Sequence, residues 1–217
     1  NEQLVNRKYL NEEMAEHYIL SYTRTKNKRT FRTEIFYKAY SDLVKYGNSF
    51  TAPYTNSGNG YAYGLDIYFK DSKTIKNGSY WISYSFLKAE RNFRYYPETA
   101  TPTFVVPHSL TFVYKHWIGD WRSYVGGSFR YGSSRVFNDI NSSEFNAGKV
   151  PANLSLDLNW SFLYRQNIIF YASATNVLGF EQVYGYQYDA VPDVNGVYGS
   201  TPIVPAANSF FFIGCFL

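Results

Sequence analysis

The chain closes on Phe210-Phe211-Phe212-Ile213-Gly214-Cys215-Phe216-Leu217, a run in which only Gly214 and Cys215 are not large and apolar. An extended segment of this character needs lipid or a protein core against it. Eight further segments precede it, each alternating apolar and polar residues with a period of two, the repeat that sends successive side chains to opposite faces of a sheet.

The first segment runs from about Glu16 to Lys26, with Tyr18, Leu20 and Tyr22 on one face and His17, Ser21 and Thr23 on the other. A short polar turn, Asn27-Lys28-Arg29-Thr30, leads to the second, about Phe31 to Tyr46, which sets Thr33, Ile35, Tyr37 and Ala39 against Arg32, Glu34, Phe36 and Lys38. Gly47 to Gly60 reads as a long loop in which Gly58-Asn59-Gly60 is a turn. The third segment alternates Tyr61, Tyr63, Leu65, Ile67 and Phe69 with Ala62, Gly64, Asp66, Tyr68 and Lys70. After the short turn Thr74 to Gly78, the fourth carries Tyr80, Ile82, Tyr84 and Phe86 against Trp81, Ser83, Ser85 and Leu87.

A long loop, Glu90 to Pro107, follows. The fifth segment, His108 to Ile118, and the sixth, Trp121 to Phe137, are separated by Gly119-Asp120, which predicts a two-residue hairpin. Gly126-Gly127 inside the sixth reads as a kink that relieves strand crowding. Beyond the loop Asn138 to Pro151, the seventh sets Leu154, Leu156, Leu158, Trp160 and Phe162 against Ser155, Asp157, Asn159 and Ser161. Gln166-Asn167 turns into the eighth, Ile168 to Thr175, and the longest loop, Glu181 to Asn208, leads to the terminal run.

The connections thus alternate strictly between short and long. A transmembrane β-barrel does this because its periplasmic turns are short and its external loops long. Three charges on one face of the second segment cannot look at lipid, so Arg32, Glu34 and Lys38 are assigned to a polar lumen. Asp66, Lys70, Asp157 and Asn159 join them there by the same alternation. The fold class is therefore all-β: an antiparallel β-barrel crossing the outer membrane repeatedly, with outer-membrane lipid against its apolar face. Nine strands is an odd count, and bacterial single-chain barrels have even ones. Residues 1–217 are expected to be one C-terminal barrel segment, with Asn1 to Ala15 the tail of another loop. The chain starts at Asn1 with no initiator Met and no charged-then-apolar leader, which implies a removed signal or an internal start.

Composition agrees. Aromatics make up 21% of the 217 residues, with 23 Tyr and 18 Phe, yet the mean hydropathy is −0.35. No window approaches the roughly 18 apolar residues of a transmembrane helix, whereas Tyr and Trp in such excess suit interfacial girdles. The net charge of +4 is spread along the chain without a nucleic-acid-reading motif, so nucleic acid is not an expected partner. A single cysteine excludes an internal disulfide framework and a Cys-based zinc site, and Cys215 is expected to pack as a small apolar residue.

Tyr171-Ala172-Ser173-Ala174-Thr175-Asn176-Val177-Leu178-Gly179-Phe180, continuing to Tyr184-Gly185-Tyr186, resembles the penultimate strand of TonB-dependent outer-membrane receptors. That strand often carries an Asn-Val/Leu-Phe-Asn pattern followed by a Tyr-x-Tyr pair; here Gly179-Phe180 replaces the commoner ending. Glu12 to Tyr22 is similar to a strand entry recurring midway through those barrels. His108 to Tyr114, with Tyr131-Gly132-Ser133-Ser134-Arg135, is similar to their paired strands with a small-residue, Arg-containing end. The resemblance covers nearly the whole chain, in the form common among Bacteroidetes proteins. It implies active import of a nutrient ligand (a siderophore, cofactor, glycan or peptide) through a plugged barrel of about 22 strands. It also implies engagement of the TonB complex through a plug domain outside this sequence, and allows a surface lipoprotein partner.

Residues that carry chemistry are few. His17, His108 and His116 are far apart in sequence and none has metal-ligand spacing, so no metal site, cofactor or catalytic residue is expected. Asp66, Glu34 and Asp157 read as lumen carboxylates that pair with Arg32, Lys70 or Arg130. Ligand contact is expected in the outer loops, from Arg94, Tyr95 and Tyr96 and from Tyr184, Tyr186 and Tyr188, with Tyr198 in the same cluster. Tyr gives large contact area with few rotatable bonds, and Tyr184 and Tyr186 are expected to shape an external vestibule. Two alternatives stand beside an importer. A small non-transporting barrel or adhesion module would need a further strand or partner chains. A soluble lectin-like sandwich would have to bury rows such as Leu154, Leu156, Leu158, Trp160 and Phe162 under a second sheet.

Overall fold

A computed structural model describes residues 10–47, 54–165 and 167–217. Its strands are β1 (Met14–Lys26), β2 (Arg29–Lys45), β3 (Thr55–Asp71), β4 (Gly78–Asn92), β5 (His108–Ile118), β6 (Ser123–Gly132), β7 (Arg135–Phe137), β8 (Gly148–Val150), β9 (Asn153–Tyr164), β10 (Ile168–Thr175), β11 (Gly185–Tyr188), β12 (Ser200–Ile203) and β13 (Phe210–Phe216). Nine of them form one sheet in the order β1-β2-β3-β4-β5-β6-β9-β10-β13. Neighbours in this sheet pair antiparallel throughout. The remaining strands form two small hairpins, β7–β8 and β11–β12, set within long connections.

Register turns the sequence alternation into continuous rows. Tyr22, Thr33, Ile67, Tyr84, Leu110, Tyr131 and Leu154 lie side by side across seven strands. One residue along, Thr23, Arg32, Tyr68, Ser83, Thr111, Arg130 and Ser155 form the adjacent row on the opposite face. A slip of one residue at any pairing would mix the two rows, so the apolar pattern pins every register.

Among the described residues nothing covers the apolar face. Leu20, Ile35, Phe211 and Ile213 are exposed, Ile213 to 85%. Among the described residues the buried apolar side chains are only Leu43, Ala62, Ala89, Val105 and Val150. A sandwich would bury its aromatic rows under a second sheet; here those rows stay open, as a surface meant for lipid does. The terminal run is split by β13: Phe211, Ile213 and Cys215 lie in the rows of Leu158, Trp160 and Phe162, and Phe212 lies in the row of Asn159. Cys215 is exposed on the apolar face rather than packed within protein.

Short connections (27–28, 72–77, 119–122, 165–167) and long ones (46–54, 93–107, 133–152, 176–209) alternate, so each kind gathers at its own rim. The structure corrects four boundaries. β3 begins at Thr55 and absorbs Gly58-Asn59-Gly60, because a Cβ on Gly58 would stand 2.5 Å from the carbonyls of Asn92 and Leu43. These glycines therefore serve close strand approach, not a turn. The predicted sixth strand, Trp121 to Phe137, is β6 and the short β7, separated at Ser133-Ser134 where the chain leaves the sheet. The predicted two-residue hairpin at Gly119-Asp120 is a four-residue one: Ile118 pairs with Ser123, and the Arg122 N–H donates to Gly119 O at 3.0 Å with Arg122 at φ 46°. The loops read over Asn138–Pro151 and Glu181–Asn208 contain β8, β11 and β12. Gln166, residues 1–9 of the presumed leading loop and residues 48–53 of the loop before β3 lie outside the described residues.

The two faces make a direct test. In the full polypeptide folded into lipid vesicles, Ile67→Arg on the apolar face should lower unfolding stability by about 2–4 kcal/mol. Ser83→Arg, in the polar row, should leave the urea midpoint nearly unchanged.

Candidate functional site

At the long-connection rim three of the four connections, 93–107, 133–152 and 176–209, hold one another, the first of them reaching over the polar face. Ala62 and Ala89 pair in register on that face, and their small side chains leave a seat for Val105 of the 93–107 connection, which is 1% exposed. Tyr40 and Leu87 complete this cluster. Beside it the Arg91 guanidinium lies over the Tyr40 ring at 4.1 Å, with the Phe93 and Phe104 rings at 5.5 and 5.7 Å. A cation among three ring faces is held by the rings' quadrupoles as well as by packing.

Alternate residues beyond β6 tie this loop to the last one. Arg135 donates from Nη1 to Thr103 O at 3.3 Å and from Nη2 to Tyr184 O. Phe137 stacks on Tyr186 with centroids 5.0 Å apart. The Tyr188 hydroxyl donates to Asp139 Oδ1 at 2.8 Å. Asn141 Nδ2 donates to Tyr198 O at 2.9 Å, and the Tyr198 N–H returns a bond to Asn141 Oδ1 at 2.8 Å. Arg135 and Phe137 share one face of β7, and Asp139 and Asn141 follow in a turn whose Ser142 N–H donates to Asp139 O at 3.0 Å. Tyr96 packs edge-on between Phe93 and Phe145, each at 4.8 Å, and the buried Asn146 donates to Thr101 O at 2.9 Å.

The predicted ligand residues therefore divide into two groups. Tyr96, Tyr186 and Tyr188 lie with their side chains within the loop-to-loop contacts, and Tyr184 joins them through its carbonyl while its exposed hydroxyl donates to Gln182. Arg94 and Tyr95 face outward. Arg94 sits at φ 51°, with its N–H donating to Val44 O at 2.8 Å and its carbonyl accepting from the Tyr46 N–H at 3.0 Å. These bonds fasten the loop to the chain leaving β2. Tyr95, 72% exposed, packs edge-on against Tyr46 at 4.6 Å, and Tyr46 lies 4.9 Å from Tyr54.

The polar-face residues fall in the predicted rows. Arg32 bridges Glu34 at 3.3 Å and Arg130 bridges Asp157 at 2.5 Å, while Lys38 lies 5.3 Å from the Phe36 ring centre. Asp66 stands in register between Glu34 and Ser85, Lys70 between Thr30 and Trp81, and Asn159 between Gly126 and Ser173. His108 and His116 each share a hydrogen bond of 2.9 Å with a strand tyrosine, Tyr84 and Tyr114 respectively.

Asn176 is the residue whose role the sequence reading did not foresee. It is 1% exposed and sits at φ 48° just beyond β10. Its N–H donates to Asp157 Oδ1 at 2.9 Å, its Nδ2 to Phe180 O at 2.7 Å and to Asn208 O at 2.9 Å, and its carbonyl accepts from Ser209 Oγ at 2.8 Å. Asparagine tolerates the left-handed conformation and offers both donors and an acceptor, so one side chain joins both ends of the last connection. Asp157 also accepts from Ser155, Ser128 and Arg130, which links this junction to the polar face. Burial, followed by the bond to Asp139, pushes the Tyr188 phenol up to about 12 from its ordinary 10.

No family model and no curated protein matches the sequence. Solved structures do match. The ferric yersiniabactin uptake receptor FyuA from Yersinia pestis aligns with TM-score 0.72 and 13% identity over 94% of this chain and 30% of its own. The ferric-catecholate import receptor Fiu from Escherichia coli K12 gives 0.69 and 13% over 97% and 28%. The ferric citrate transporter FecA gives 0.68 and 14% over 93% and 31%. At such identities the likeness is one of fold. The nine-stranded sheet is part of the wall of an antiparallel transmembrane β-barrel, and the chain spans less than a third of the receptors it matches.

Two substitutions probe the rim. Tyr188→Phe removes the bond to Asp139; because the phenol's value is raised in the folded state, that bond's contribution is complete below pH 10 and disappears as the pH rises through about 12. The tyrosinate absorbance difference between the parent and Tyr188→Phe should accordingly titrate near 12 rather than near 10. Asn176→Ala leaves several buried groups without partners and should cost about 1–3 kcal/mol, read as a lowered urea midpoint together with faster proteolysis of the 176–209 connection.

Proposed function

We propose that residues 1–217 are the C-terminal barrel segment of a TonB-dependent outer-membrane receptor, related to the Bacteroidetes type, that imports a nutrient ligand by active transport. The carrying observation is the sorting of the sheet: apolar rows on one face, charged and hydroxyl rows on the other, and every long connection at one rim. A wall of this kind separates lipid from a watered interior and places its longest, interlocked connections where a ligand arrives. The likeness of fold to FyuA, Fiu and FecA supports the reading.

In this reading the rim has two working parts. Arg94 and Tyr95 offer a cation and an open aromatic face to a siderophore, cofactor, glycan or peptide, with Tyr96 anchoring their loop. Tyr184, Tyr186 and Tyr188 hold the vestibule around them. Arg32, Glu34, Lys38, Asp66, Lys70, Asp157 and Asn159 line the interior and keep it hydrated. A plug domain outside this chain carries the TonB contact, and the exposed loop rim is the surface open to a lipoprotein partner.

Energised cells carrying the full polypeptide should take up at least one of ferric catecholate, ferric citrate, an oligosaccharide or an oligopeptide, and deletion of TonB should abolish that uptake. Uptake that survives the deletion, or none from the panel beside intact surface binding, would support a non-transporting binding module instead. Arg94→Ala with Tyr95→Ala should weaken surface binding of the accepted compound about tenfold or more, as loss of a cation and an aromatic anchor does. Tyr184→Ala with Tyr186→Ala should lower uptake without preventing insertion; unchanged uptake would remove these two residues from the vestibule.

A further inference from the structure

The opposite rim, made of short turns, has its own chemistry. The β1–β2 hairpin turns on Asn27 and Lys28 alone, both left-handed at φ 52° and 59°. Two-residue turns of this shape favour glycine at the second position; here it is a lysine, held in a conformation that L side chains rarely adopt. The Lys28 carbonyl accepts from the Ser72 N–H at 3.1 Å, which pins this turn to the 72–77 turn between β3 and β4.

Between the two turns lies a cleft of about 440 Å³ lined by Lys28, Lys73 and Lys76, with Asn27, Ser72 and Ile75 among its other walls. No carboxylate lines it. The adjacent acid, Asp71, is already engaged: it accepts from Arg29 Nε at 2.7 Å, Thr74 Oγ1 at 2.6 Å, and the N–H groups of Lys73 and Thr74 at 2.7 and 2.8 Å. Three lysines from the two turns therefore border a cleft that no carboxylate lines.

Its depth in the sheet points to the ligand. On the apolar face the row Phe31, Phe69, Ile82, Phe112 and Phe129, with Arg24 at its β1 end, lies toward this rim, and the next row outward holds Tyr80 and Tyr114 together with Lys26, Arg29 and the Arg29-paired Asp71. Aromatic rings followed by cations are the order in which a membrane passes from hydrocarbon edge to headgroup phosphates. Resting on the reading of this sheet as an outer-membrane wall, we propose that the cleft between the 27–28 and 72–77 turns binds the phosphate of an anionic phospholipid headgroup in the leaflet facing the short-turn rim. Ile75 supplies an apolar contact for the glycerol end, and Ser72, Asn27 and Asn77 supply neutral hydrogen-bonding groups.

The test uses the full polypeptide in vesicles of phosphatidylglycerol and phosphatidylcholine, extracted into detergent, with the lipid retained read by native mass spectrometry. The parent should retain phosphatidylglycerol over phosphatidylcholine. Lys28→Gln, Lys73→Gln and Lys76→Gln together should weaken retention about a hundredfold, roughly fivefold for each lysine near a charged surface. Lys149→Gln, on the other rim, should change nothing. Heat-dependent gel migration confirms that each variant is folded. Equal retention of the two lipids by an inserted parent protein, or undiminished retention by the folded triple variant, would overturn the inference and leave the wall reading standing. Displacement of the lipid by millimolar inorganic phosphate would show a free-anion site and overturn the lipid assignment. Failure of the parent to insert into any vesicle would overturn both.

Discussion

Inside hydrocarbon a backbone N–H or C=O has no water to turn to, so a strand that crosses must be paired along its length by its neighbours. The rest of this structure depends on that ladder. It locks nine strands into one antiparallel sheet, and the two-residue period then leaves each side chain only one of two destinations. The register shifts of the β2–β3 pairing fall between Tyr40 and Lys45, where the sheet has reached the loop rim and no longer needs to be regular. Glycines adjust the ladder from within. A Cβ on Gly64 would stand 2.6 Å from the Phe36 ring, and one on Gly126 would stand 2.9 Å from Asn159. Large groups on the polar face thus lie flat across a neighbouring strand without spreading it.

Such a sheet has little conventional core, and stability is redistributed accordingly. The wall draws its apolar stabilisation from the membrane, whereas the loop rim draws its own from small, local devices. Val105 on two alanines, Arg91 among three rings and Asn176 among four hydrogen-bonding partners each contribute a modest amount. Together they tie connections that are distant in sequence into a single rim. The cross-links from Arg135 to Asn141 work in the same way, since each fixes a loop that another has already positioned and so meets a smaller entropic cost.

Much of the candidate site could be read from the chain, but its internal roles could not. Period-two alternation assigned Arg32, Glu34, Asp66 and Asp157 to the polar face, because the side of a strand follows from parity alone. The loop tyrosines were recognisable as a group from composition, yet nothing local distinguishes Tyr95, open to solvent, from Tyr188, bonded to Asp139. That distinction arises between segments 49 residues apart in the chain. Gly58 and Gly60 were misread for a related reason: a glycine pair in a polar stretch looks like a turn unless the backbones pressing on both sides of it are known.

By itself the sequence determined that the chain is all-β, that its strands are two-faced, and that short and long connections alternate. These follow from local rules: side-chain parity, turn residues, and hydrophobic runs too short for a helical span. Tertiary structure alone decided that the apolar rows stay uncovered, that three loops close into one rim, and that three lysines from two turns meet around a cleft without a carboxylate. Those properties depend on which distant residues come within a few ångströms of one another, and that is set by the register of the whole sheet.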